Sequence, residues 1–88
     1  VIAPLDGNVL AGPLGELFTV DITSAMGQCA SCGARNPMAM ARVYVDAPGM
    51  VARCRSCDAV IVRLVRSGGQ AWLDMQGISS LQLRMPSE

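Results

Sequence analysis

"CASCGARN" (residues 29–36) and "CRSCDAV" (residues 54–60) hold all four cysteines of this 88-residue chain, as two matched CxxC pairs. Two cysteines three positions apart can turn both sulfurs towards one point when the backbone folds into a tight knuckle, and the knuckle leaves backbone N–H groups free to bond those sulfurs. One knuckle supplies half a tetrahedron of thiolates. Cys29 and Cys32 with Cys54 and Cys57 would therefore close a four-thiolate site around one metal ion, with metal–sulfur distances of about 2.3 Å expected for zinc. Gly33 after the first pair and Asp58 after the second suit the left-handed backbone that a knuckle exit favours, and Ser31 and Ser56 fill matching slots between the cysteines.

The same four residues admit other readings. A rubredoxin-like iron site uses identical ligands, a redox-active CxxC is a second alternative, and a pair of disulfides is a third. Rubredoxin-like chains tend to be acidic and rich in aromatic residues, whereas this one has zero net charge and only Phe18, Tyr44 and Trp72. A thioredoxin-like CxxC opens a helix within a βαβ pattern, which the flanking residues do not form. One structural zinc ion is the cofactor expected.

Chain length calls for such a staple. In a domain this small, hydrophobic burial nearly cancels an ordering cost of about 1.5 kcal/mol per residue, so a metal, a disulfide or a partner tips the balance. Half the chain is apolar, mostly Val, Leu, Met and Ala. That composition fits a filled core and equally fits a face buried against a second protein. The basic residues are all arginine, and residues 29–66 hold Arg35, Arg42, Arg53, Arg55, Arg63 and Arg66 against Asp46 and Asp58. Because four thiolates on a divalent ion carry a formal charge of about −2, several of these arginines are expected to balance the site.

Outward from the cysteines, "LDGNVLAGPLGELF" (residues 5–18) places Leu10, Leu14, Leu17 and Phe18 at helical spacing. Asn8 is the candidate cap and Pro13–Phe18 the favoured helix. Phe18, Val20 and Ile22 then alternate with polar neighbours, which reads as a half-buried strand. "MAMARVYV" is β-like towards its end, and "DAPGM" places Pro48 and Gly49 at the centre of a type II turn leading to a strand over Met50–Arg53. "AVIVRLVR", "SGGQ" and "AWLDM" read as a hairpin, with Val60, Val62 and Leu64 facing the core, Arg63 facing solvent and Trp72 at a sheet edge or an interface. Gly77 ends that hairpin, and "LQLRM" makes a last edge strand.

"CASCG", "APGMVARCRSC" and "VIVRLV" together resemble the zinc-ribbon class over about residues 25–75. The resemblance implies two knuckles held over a small antiparallel sheet. The wider string "LDGNVLAGPLGELF…CASCG…APG…RC…WLD" is similar to a family of short, uncharacterised zinc-ribbon proteins from actinobacteria, whose GC-rich genomes suit an arginine-only basic set. A weaker similarity is to the zinc domain of the hydrogenase nickel-insertion chaperone. Its nickel site uses an N-terminal histidine, and this chain contains none. The expected fold is thus a small mostly-β zinc ribbon with a short N-terminal helix, in which residues 1–24 form a segment packing on the ribbon or a partner and residues 25–88 the ribbon itself.

A closed four-thiolate site leaves no open position to activate water, the chain lacks histidine as a general base, and its seven acids are scattered, so no enzyme is expected. The favoured function is a non-catalytic module for protein–protein interaction, either on a larger partner or with itself, with Leu10, Leu14, Leu17 and Phe18 as candidate contacts. Binding to nucleic acid or the transcription machinery through Arg53, Arg55, Arg63 and Arg66 is the alternative. Zero net charge and few aromatics weaken it. No apolar run reaches the roughly 18 residues of a membrane span, and the opening residues lack the basic start of a secretory signal, so a cytoplasmic, membrane-free protein is expected.

Overall fold

The computed structural model describes residues 5–18, 20–46 and 49–84, which form two antiparallel sheets. In chain order the elements are β1 (Leu5–Asp6), α1 (Ala11–Gly15), β2 (Met26–Cys29), β3 (Arg35–Pro37), β4 (Arg42–Asp46), β5 (Gly49–Arg53), β6 (Val60–Ser67), β7 (Gln70–Asp74) and β8 (Ile78–Gln82). One sheet runs β1-β4-β5-β6-β7 and the other β3-β2-β8. The expected mostly-β fold with a short N-terminal helix is therefore present, but the strands divide between two sheets where one was expected. None of the described helices is long and apolar enough to cross a membrane.

The hairpin β6–β7 follows the sequence closely. Gly68 and Gly69 both take positive φ, 59° and 77°, as a two-residue hairpin turn requires, and Ser67 pairs with Gln70 across it. Val62 and Leu64 are buried and Arg63 is exposed. Ile61, expected on the outer side, is buried as well. The pairing passes from Ala52↔Val62 to Arg53↔Val60, so Ile61 is an extra residue that interrupts the alternation. Gly77, between β7 and β8, packs against this bulge so closely that a Cβ there would stand 2.1 Å from the Val60 carbonyl oxygen. We predict that Leu64→Ala costs about 2–5 kcal/mol, as truncation of a fully buried leucine does. Arg63→Ala should cost under about 1 kcal/mol, as surface substitutions do. Chemical denaturation of both variants checks the order, and its reversal would refute this register.

Three local expectations are corrected. Of the stretch 18–23, the described residues 18 and 20–23 do not form a strand: the Asp21 carboxylate accepts from the Thr23 N–H at 3.1 Å and the Thr23 hydroxyl at 2.6 Å, while Ser24 donates to the Asp21 carbonyl, and a 3-10 turn forms over Ile22–Ser24. Such side-chain bonds offer the backbone an alternative to ladder pairing. The N-terminal helix begins earlier and is shorter than Pro13–Phe18. Asp6, rather than Asn8, caps a 3-10 turn over Gly7–Leu10 by accepting from the Asn8 N–H, and α1 continues it. The last strand starts at Ile78, ahead of "LQLRM". Of the two central residues of the expected type II turn, Pro48 lies outside the described residues and Gly49 opens β5.

Leu10, Leu14, Ile22, Met38, Val43, Ala52, Val62 and Leu64 form the heart of the core. Val43, Ala52 and Val62 pair across three adjacent strands and are all essentially inaccessible. The N-terminal turns add Leu10 and Leu14 to the same core cluster as this row. Gly27 in β2 makes room for Met38, whose sulfur would be 2.8 Å from a Cβ there.

Candidate metal centre

Each cysteine pair occupies the bend between two antiparallel strands. Cys29 ends β2 and the chain returns as β3; Cys54 follows β5 and the chain returns as β6. The two bends repeat one hydrogen-bond pattern. Gly33 and Asp58 donate their N–H groups to the carbonyls of Cys29 and Cys54 at 2.9 and 2.8 Å, and the Cys29 and Cys54 N–H groups reach Ala34 and Ala59 at 2.9 and 2.8 Å. Gly33 and Asp58 both have positive φ, 78° and 67°. Asp58 is the one described non-glycine residue in that region, and it is held there from both sides: Arg53 donates to its carbonyl at 2.9 Å, and Arg42 stands 3.8 Å from its carboxylate. The first knuckle is tied instead to the turn before β8 by a bond from the Ala30 N–H to the Gly77 carbonyl at 2.8 Å.

These knuckles bring the four sulfurs within 4.8 Å of one another. Across the knuckles, Cys29 Sγ lies 3.7 Å from Cys57 Sγ and Cys32 Sγ 3.8 Å from Cys54 Sγ. A disulfide would bring a pair to about 2.05 Å. A regular tetrahedron of sulfurs about 2.3 Å from a central ion has edges of about 3.8 Å. The spacing thus fits a metal ion between the knuckles, and the soft, all-thiolate donor set fits zinc or iron. Cys29 and Cys54 are buried at the ends of their strands, whereas Cys32 and Cys57 are exposed. One half of the site is anchored in the core and the other faces solvent.

The local fields favour ionised sulfur at the buried positions. The Cys32 backbone N–H holds the Cys29 thiol down to about 7, against the opposing effect of burial. For Cys54, burial raises and the N–H groups of Cys57 and Ser56 lower, with a net shift downwards. At Cys32 the Ala34 N–H lowers the value, but desolvation and the neighbouring thiols outweigh it and push the thiol up to about 11. A divalent cation among them removes that competition for protons, because the coordinating thiols are deprotonated outright.

The other candidate residues are placed less uniformly. Leu10 and Leu14 are each 1% exposed and belong to this chain's own core, so they do not form the surface expected to meet a partner. Leu17 is 43% exposed and Phe18 packs partly against the core. Arg53 and Arg63 border one shallow concavity on the outer sheet face with Tyr44, Val51 and Val65. Arg55 is exposed inside the second knuckle, and Arg66 is engaged by Glu16 at 2.7 Å, an exposed pair that ties α1 to β6. The roles of Arg42, Gly77 and the two alanines escaped the sequence reading. For the alanines a signal existed, since the match between the two CxxC pairs runs on as CASCGA and CRSCDA.

A family model described as a family of unknown function (DUF6510) matches residues 2–86. No curated protein and no solved structure matches the chain.

Proposed function

This chain belongs to that family of unknown function, and we propose that it is a non-catalytic module in which one structural zinc ion, held by Cys29, Cys32, Cys54 and Cys57, supports a surface for protein–protein interaction. The observation that carries the reading is the closed thiolate cluster, whose cross-knuckle spacings of 3.7 and 3.8 Å match the edge of a zinc tetrathiolate. Four thiolates fill the coordination sphere, so the ion serves as a cross-link and leaves no position for substrate. Cytoplasmic location and a partner that is either a larger protein or a second copy complete the proposal. Exposed apolar side chains are available on both faces of the larger sheet: Leu17 and Val45 border one concavity, and Trp72 lies on the opposite face.

Metal analysis of protein purified without air, with its absorption spectrum, tests the centre. A colourless protein with one zinc per chain is expected, and an iron chromophore would favour the rubredoxin-like alternative. Cross-linking with mass spectrometry in cells tests the interaction, which fails if the chain is recovered joined to neither another protein nor itself. Nucleic-acid binding is the second reading, favoured by the concavity that Arg53 and Arg63 share with Tyr44. Binding at low salt that weakens as salt rises would support it, because phosphate contacts release counterions.

A further inference from the structure

The two edges of the five-stranded sheet are unlike. β1 contributes only Leu5 and Asp6 to one edge. At the other, β7 pairs with β6 from Gln70 to Asp74 without a register break, and among the described residues no strand lies on its far side. Exposed edges are ordinarily blunted by proline, charged side chains or a bulge; "QAWLD" has no proline and no bulge, and its single charge, Asp74, stands at its end. Trp72 stands at its centre, 56% exposed, more than any other large apolar side chain among the described residues.

The tight turn fixes which backbone groups the edge presents. Ser67↔Gln70 closes the hairpin, and hydrogen-bonded pairs alternate with non-bonded ones from there, so the amides of Gln70, Trp72 and Asp74 face β6. Those of Ala71 and Leu73 face outwards. We infer that β7 pairs antiparallel with β7 of a second copy about a two-fold axis at Trp72, joining the two five-stranded sheets into one. This rests on the reading of the chain as an interaction module and names its partner.

The strand is complementary to itself in that register. Ala71 falls opposite Leu73 of the partner subunit, each pair exchanging both main-chain bonds, and a small side chain meets a large one. Asp74, the strand's one charge, falls opposite an uncharged glutamine and not opposite its own copy, which avoids the repulsion of like charges across a ladder. Trp72 meets its copy on the axis at a non-bonded pair, where side chains approach most closely. Zero net charge removes long-range repulsion between copies.

Light scattering after size exclusion, on the full metal-loaded chain over a range of concentrations, tests the inference. The expected result is a dimer that dissociates on dilution, with Ala71→Pro and Trp72→Lys each showing the monomer mass at every concentration while metal content and melting of the monomer are retained. Ala71→Pro removes an outward N–H that β6 does not use, the setting in which an edge tolerates proline. Trp72→Lys changes an exposed side chain and sets two cations face to face on the axis, so it serves if the proline variant fails to fold. A wild-type monomer at the highest soluble concentration overturns the inference, and so does a dimer that survives in the folded variants. A monomer that nevertheless cross-links to a different protein in cells overturns self-pairing and leaves the interaction module standing; one that cross-links to nothing ends both.

Discussion

Cys57→Ser, Cys32→Ser or a strong chelator should abolish the cooperative melting of this protein and most of its β-sheet circular dichroism over residues 25–75. The size of the effect follows from where the knuckles sit. The first belongs to the sheet β3-β2-β8 and the second to the sheet β1-β4-β5-β6-β7, so an ion held by all four cysteines would join the two sheets. Structural zinc contributes an apparent ~10–16 kcal/mol in small domains at neutral pH. The whole stability of a typical domain is about 5–15 kcal/mol. Removing the ion therefore leaves too little to order two small sheets, even though Cys32 and Cys57 lie on the exposed half of the site and bury little area themselves. Acid should act in the same direction. Protons compete with the ion for sulfur, and once the pH falls below about 7 even the Cys29 thiol, the one drawn down to that value, is mostly protonated in the metal-free state. Apparent metal affinity and melting temperature should fall together as pH is lowered. A cysteine variant with unchanged circular dichroism and melting would refute the metal's role as the cross-link.

The parts of the fold legible in the sequence are those fixed by local chemistry. Two glycines at Gly68–Gly69 dictate a hairpin turn, β-branched residues dictate β6, and the CxxC spacing brings two sulfurs together within each knuckle without reference to the rest of the chain. What could not be read depends on contacts between distant segments. β2, the centre of the smaller sheet, reads "MGQC", with a glycine inside it and no alternating apolar face; its strand form comes from pairing with β3 and β8, and its glycine from the sulfur of Met38. The bulge at Ile61 likewise has no local signature, since it answers to the close approach of Gly77 from the turn after β7. At residues 18–23 the alternation was genuine and misleading. Asp21 prefers to bond its own neighbours, and Thr23 can be buried because its hydroxyl is satisfied by that carboxylate.

Deleting residues 1–18 should lower the melting temperature sharply and bring on aggregation, while the cysteines keep their capacity for metal. Had Leu10 and Leu14 faced outwards, the deletion would remove a docking element and leave the remaining sheets intact. Instead both are inaccessible in the core beside Met38, Val43 and Leu64, so their loss uncovers the row of small and branched side chains that they close. Each buried leucine is worth about 2–5 kcal/mol on truncation to alanine, and removal of the whole segment takes both. That loss approaches the total stability of a typical domain, leaving the metal as the main remaining constraint. Both knuckles lie outside the deleted stretch, and their internal hydrogen bonds run among residues 29–34 and 54–59. Metal should therefore still bind, with weaker apparent affinity because part of the binding energy is spent on ordering a destabilised chain. Differential scanning calorimetry with metal analysis on the truncated protein separates the cases: a chain that melts as the full-length protein does, with its core row uncovered, would mean that the N-terminal turns are not the lid of this core.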